Sequence, residues 1–237
     1  MADSFPWPLE YRFSQRRKSV GLEVREGRVI VRAPAGYPSV LLARIVRNKV
    51  RWISAKVAEQ SVRMAARPRY NYQDGDLLPY LGSHLRLRVG AGRKQSVTRE
   101  ADTLSVCTSA RSNKTTRRQT YEEVSLWYRQ QGLALLTEKT HNLCARQGLE
   151  CRSVKVRLTR SKWGHCTRTG DIQYSWQILL APEPVVDYLV AHEVSHLRYP
   201  HHGASFWRYV EQLYPGFEPQ RQWLRDHGHT LILPAPE

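Results

Sequence analysis

The string His192-Glu193-Val194-Ser195-His196 constrains this chain more than any other feature, because it lies in a segment whose apolar residues recur at helical spacing. Val185, Val186, Leu189, Val190, Val194 and Leu197 share one stripe, and Pro184 stands in a first turn, where its missing N–H leaves no bond unmade. Such a helix must bury that stripe. At 100° per residue the two histidines stand about 40° apart, one turn apart on one face. With nine histidines in 237 residues, chance produces such a string only about 0.02 times per chain of this composition. A purely structural helix gains nothing by gathering two imidazoles and an acid.

Two imidazoles one turn apart can share one ion. Zinc suits them, since it takes neutral nitrogen at about 2.0–2.1 Å and, in catalytic sites, three protein ligands with a fourth position open. Glu193 then stands where a carboxylate can take a proton from water whose pKa the metal lowers to about 7. Pro200 disfavours helical geometry at Tyr199, so the chain turns and brings His201 and His202 back towards the pair. Either histidine is a candidate third ligand, with Glu211 or Glu218 as more remote alternatives. The spacing from His196 to His202 is that of metzincins, but Tyr199 stands where their turn glycine belongs, which argues against that class.

The rest of the chain predicts an α+β protein. Val20–Glu26 and Arg28–Ala33 alternate around Glu26-Gly27 as a hairpin, and Ser39 to about Gln60 carries apolar residues at three and four with Arg44, Arg47, Arg51 and Lys56 on the polar face. Short strands follow at 76–81, 84–89, 96–99 and 103–107. The polar stretch Ser109–Gln119 reads as a linker, which gives a small β-rich N-terminal unit with one helix over 1–115 and a second domain over 116–237. That second part opens with a long helix from Tyr121 to Gln147-Gly148. Strands at Val154–Leu158 and Ile172–Trp176 follow, joined by a loop containing Lys162-Trp163-Gly164-His165-Cys166.

Charge narrows the partners. Lys and Arg number 37 against 21 Asp and Glu, a net +16 that concentrates anions and favours phosphates, nucleic acid or acidic chains. No run of 18 apolar residues and no signal-peptide pattern is present, so the expectation is a cytoplasmic protein without a membrane partner. Cys107, Cys144, Cys151 and Cys166 form no C-x-x-C pair and read as reduced thiols.

An ordered set of motifs resembles the YgjP-like metallopeptidase family, relatives of the SprT-like zinc proteases. The set runs from Arg16-Arg17-Lys18-Ser19 to Ala33-Pro34, through Asp74-Gly75 and Leu78-Pro79-Tyr80-Leu81-Gly82, to Lys162-Trp163-Gly164-His165-Cys166 with Gly170-Asp171-Ile172. It continues through Leu180-Ala181-Pro182, Val186-Asp187-Tyr188, the His192–Leu197 string, His202, Phe206-Trp207 and Trp223-Leu224. The resemblance implies a zincin-like α+β metallohydrolase domain, Zn2+ as cofactor, and His202 as third ligand, because the family's Asn-His-Ser segment aligns with His201-His202-Gly203. His201 is then a spare histidine and an alternative ligand. His165 departs from the family's Trp-Gly-Ser-Cys.

The expected function is a zinc-dependent peptidase in which His192, His196 and His202 hold the metal and Glu193 is the base. Arg160, Lys162 and His165 are candidate substrate or oxyanion contacts. The strand at Ile172–Trp176 is expected to offer an edge to an extended peptide. Two alternatives use the same residues. One is a nucleoside-triphosphate pyrophosphatase, the assignment that some YgjP-like members carry; the other is a nucleic-acid-binding module that works through the basic Ser39–Gln60 helix and the β-rich half, its zinc structural and His201 a fourth ligand.

Overall fold

The computed structural model describes residues 5–25, 27–159 and 162–236. The chain divides into two compact units, Met1–Arg67 and Pro68–Glu237. The α+β class holds, but the expected boundary near residue 115 does not coincide with this division.

In the first unit, β2 (Gly21–Arg25) and β3 (Arg28–Pro34) form the expected antiparallel hairpin. A strand that the pattern did not reveal, β1 (Leu9–Ser14), adds in parallel to the other side of β3. The expected single helix is two, α1 (Ser39–Asn48) and α2 (Val50–Ala65). Lys49 separates them at φ −109°, ψ 8°, outside helical geometry, while the apolar spacing continues across the break. Val29, Val31 and Ala33 pack with Trp7, Leu42, Val46 and Ile53 as the core of the unit. The basic residues Arg44, Arg47, Arg51 and Lys56 are exposed, and Lys56 pairs with Glu59 at 2.6 Å.

The second unit opens with a sheet of β4 (Leu77–Tyr80), β5 (Ser83–Gly92), β6 (Ser96–Glu100) and β7 (Thr103–Ser109), in the order β4-β5-β7-β6. Its inward residues Leu78, Leu85, Leu87, Leu104 and Val106 share one core with Val124, Trp127 and Tyr128 of α3 (Thr116–Gln147). The supposed linker is therefore a tight connection inside a unit. The Thr115 side chain caps α3 by accepting from the Arg118 N–H. Buried Gln119 accepts from the Ser109 N–H at 2.9 Å and donates to the carbonyls of Ser109 at 3.2 Å and Lys114 at 3.0 Å. The polarity that suggested a linker is used to bind the end of β7 to the start of α3.

A second sheet carries the site. It consists of β8 (Ser153–Arg157), β9 (Gly164–Cys166) and β10 (Asp171–Ser175) in the order β8-β10-β9, with β10 parallel to β8 and antiparallel to β9. The strand expected at an edge, β10, is thus central. Alternation marks a strand with one buried face but carries no information about which sides are paired. Among the described residues the edges of this sheet are β8 and β9, and β9 is the one that lies against Glu193. In all three sheets the same arrangement recurs: of three successive strands, the third lies in the middle, parallel to the first and antiparallel to the second.

After a 3-10 turn at Trp176–Leu180 come α4 (Glu183–Ser195), α5 (Ala204–Leu213) and α6 (Glu218–His227). α4 starts as expected, with Pro184 in its first turn and Glu183 at its positive end. Nine of its 13 residues are buried, which ties it to the core along most of its length. Lys139 of α3 pairs with both Glu183 at 2.8 Å and Asp187 at 2.7 Å, and fixes the first turns of α4 to α3.

Candidate metal centre

α4 carries His192 and His196 one turn apart. The helix ends at Ser195, and residues up to Tyr199 continue as turns in which the Tyr199 N–H donates to the Ser195 carbonyl at 2.9 Å. Pro200 breaks this run, and the chain returns to deliver His202 just before α5. The three rings converge: centroids are 5.1 Å apart for His192–His196, 4.6 Å for His196–His202 and 5.0 Å for His192–His202. One ring nitrogen from each lies within 4.8 Å of the others. Phe206, on the first turn of α5 and 1% exposed, packs against all three rings at 4.5–5.0 Å.

The donor set fits a tetrahedral ion. Two nitrogens each about 2.0–2.1 Å from such an ion stand about 3.3 Å apart, and Nε2 of His192 and Nε2 of His202 are 3.1 Å apart. The Nδ1–H of His196 can donate to the Tyr199 carbonyl at 3.1 Å, which leaves Nε2 with its lone pair free to ligate. Burial pushes the His192 imidazole down to about 3, helped by the neighbouring His196, His202 and Arg221. It also lowers His196 and His202, so all three rings favour the neutral form that binds metal. His201 is exposed and is outside this group, as are Glu211, which accepts from the Gly216 N–H, and Glu218. The alternative ligands are therefore not brought to the cluster.

Glu193 points from α4 towards β9. It is 4% exposed, its Oε2 is buried without a hydrogen-bond partner, and burial raises its carboxyl to about 8, with Lys162 pulling in the opposite direction. The sequence marked Gly164 only as part of a motif, but the structure gives it a reason. A Cβ at this position would collide with Oε1 of Glu193 and stand 2.5 Å from Cδ and 2.6 Å from Cγ. Only glycine lets the strand lie against the carboxylate.

Of the expected substrate contacts, Arg160 lies outside the described residues. Lys162 is exposed and its charge reaches Glu193; His165 is exposed on β9 and its charge reaches His196. Two residues that the sequence reading quoted only as motif members stand against the histidines. Tyr188 lies one turn before His192, with ring centroids 6.0 Å apart, and Trp207 stands 5.7 Å from His202 at 28° and 5.8 Å from His192. Helical spacing of four from His192 is the signal that could have found Tyr188. The four cysteines are unpaired, and burial raises the Cys166 thiol to about 12, so it stays protonated beside Glu193.

A buried helix with two histidines a turn apart, a third from the following turn and an acid held against a strand defines a metallohydrolase-type centre. Residues 18–227 match the family described as YgjP-like, metallopeptidase domain. The match covers most of the chain, and the protein belongs to that family. Among solved structures, it is similar to the crystal structure of the metallopeptidase zymogen of Pyrococcus abyssi abylysin, at 23% identity over 39% of this chain and 92% of that chain, with a TM-score of 0.35. No curated protein matches the sequence. No helix among the described residues is long and apolar enough to cross a membrane.

Proposed function

We propose that the protein is a zinc-dependent peptidase in which His192, His196 and His202 hold the metal and Glu193 is the general base. The observation that carries this reading is the convergence of three imidazole nitrogens within 4.8 Å beside a buried, unpartnered carboxylate. When bound, zinc supplies Lewis acidity towards a carbonyl oxygen and makes water a nucleophile near neutral pH. Glu193 takes the proton of the attacking water and returns it to the leaving amine. Its Oε2 has no competing partner, so the carboxylate is available for both transfers. Phe206 and Trp207 pack against the histidine rings on one side.

The free edge of β9 runs beside Glu193, which makes it the strand on which an extended peptide would pair. A three-histidine set leaves a position open for substrate, which favours catalysis over a closed structural site. The pyrophosphatase alternative needs a carboxylate group for a Mg2+–phosphate complex, and no second cluster of metal-binding side chains occurs among the described residues.

The test compares the zinc-loaded wild type with Glu193→Gln on an unfolded protein substrate and on nucleoside triphosphates. Peptide cleavage lost by at least about 100-fold in the variant, with metal content unchanged, is the expected result. Glu193-dependent pyrophosphate release without peptide cleavage would refute the peptidase reading.

A further inference from the structure

Beside the three histidines stands a cation that neither metal binding nor proton transfer uses. Arg221 lies in the first turns of α6, half-buried, with its guanidinium carbon 3.9 Å from the centroid of the Trp207 ring. That ring faces His202 at 5.7 Å and His192 at 5.8 Å, so the arginine is held one aromatic layer away from the metal ligands. Its charge reaches His192, His202 and Tyr188. Arg225, one turn further along α6, also acts on Tyr188.

What Arg221 lacks is a counterion. Lys139, by contrast, is matched at the start of α4 by Glu183 and Asp187. Among the described residues, no carboxylate pairs with Arg221, and its side chain donates no hydrogen bond. Asp226, the acid nearest in sequence on the same helix after Glu218, is taken by Gln222 at 2.9 Å to each oxygen. A guanidinium resting on an aromatic face keeps its N–H donors in its own plane, directed away from the ring and available as a fork. The fork geometry matches a carboxylate, and a planar cation fixed by a ring loses little entropy on binding one.

We infer that Arg221 forms a carboxylate-binding subsite next to the metal centre, which takes either the C-terminal carboxylate of a peptide or an acidic side chain near the scissile bond. This inference rests on the peptidase reading. It also gives the strongly basic chain a specific role at the site: the charge excess brings acidic segments in, and Arg221 fixes one carboxylate in register with Glu193 and β9.

Binding is measured on the zinc-loaded Glu193→Gln protein, which holds substrate without cutting it, by the anisotropy of labelled peptides. Three matched peptides are used: one with a C-terminal carboxylate, one with a C-terminal amide, and one amidated peptide with an internal Glu in place of Gln. The carboxylate forms are expected to bind about 10- to 100-fold more tightly than the neutral form, as for one charge-assisted bidentate contact. Adding Arg221→Gln should bring that ratio close to one, and Arg221→Lys should keep part of it. Which carboxylate peptide is preferred separates the C-terminal source from the side-chain source. A ratio near one in the parent protein, or a ratio that survives Arg221→Gln, would overturn the subsite. Because the readout is a ratio, a general loosening of α6 that weakens all peptides alike would also count against it. Carboxylate-selective binding without any peptide cleavage by the wild type would overturn the peptidase reading and leave the subsite standing.

Discussion

Replacing Gly164 with alanine isolates the contact that positions Glu193. The added Cβ would stand 2.5 Å from Cδ and 2.6 Å from Cγ, where ordinary contact begins at 3.4 Å, so the carboxyl group or the strand must retreat by about 1 Å. Glu193 is 4% exposed and enclosed, which leaves it no free direction. Overpacking of this size costs about 1–3 kcal/mol of stability, or a fall in Tm of about 2–4 °C per kcal/mol for a chain of this size. A displacement of about 1 Å in a catalytic group lowers the rate by about 100-fold. Peptide hydrolysis and calorimetry on Gly164→Ala, with metal content measured alongside, should show both losses with the histidines still loaded. Combining Gly164→Ala with Glu193→Ala supplies the decisive control. In the alanine background the colliding atoms are gone, so the glycine substitution should become neutral or mildly stabilising. An equal destabilisation in both backgrounds would refute the steric account, as would full activity of Gly164→Ala.

Three further outcomes follow from the same geometry. In the metal-free protein Glu193 is raised to about 8 and His192 lowered to about 3; between about pH 4.5 and 6.5 the folded state holds a proton on Glu193 and the unfolded state holds one on His192, so their slopes cancel. The Glu193 contribution is complete below about pH 4.5 and is lost as pH rises to 8, so stability of Glu193→Gln should change with pH more positively than wild type, by about 1.4 kcal/mol per pH unit over that window in chemical denaturation. His202→Ala should weaken zinc affinity by more than the about 10- to 100-fold typical of losing an outer partner, whereas His201→Ala should leave it unchanged, as read by competition with a chelating dye. Gln119→Leu strands the Ser109 N–H and the carbonyls of Ser109 and Lys114, and should cost about 1–3 kcal/mol in urea unfolding without altering metal affinity.

Much of the site was legible because its chemistry is local. A spacing of four on a helix places His192 and His196 on one face wherever the helix packs, and Pro200 turns the chain back towards them, while the choice of His202 over His201 came from the family resemblance. The role of Gly164 was not legible, since a glycine records only the absence of a side chain and not the carboxylate that fills its space. Arg221 lies 19 residues after His202, and no periodicity links α6 to the histidines; only tertiary packing through Trp207 does. The same distinction explains the fold. Apolar periods located α3, α4 and most strands, but α5, α6 and the short β9 were not identified, and pairing order depends on neighbours far along the chain, so β1 went unnoticed and β10 was placed at an edge. The misplaced boundary has a different cause: Ser109–Gln119 is polar because its groups bond the backbone, and composition alone does not distinguish that use from exposure to water.

The repeated strand order has a consequence for how the chain is made. In each sheet the central strand is the last of its three to leave the ribosome, so the two preceding strands have no partner within their triple until it arrives. Each late strand can then close a hairpin with its immediate predecessor across a short loop, in about 1–10 μs, before the more distant first strand adds in parallel. For the sheet beside the histidines, β10 closes on β9 first and recruits β8 second. The edge that borders Glu193 is therefore set by the quicker, local event, and the wall of the metal centre can form before the sheet behind it is complete.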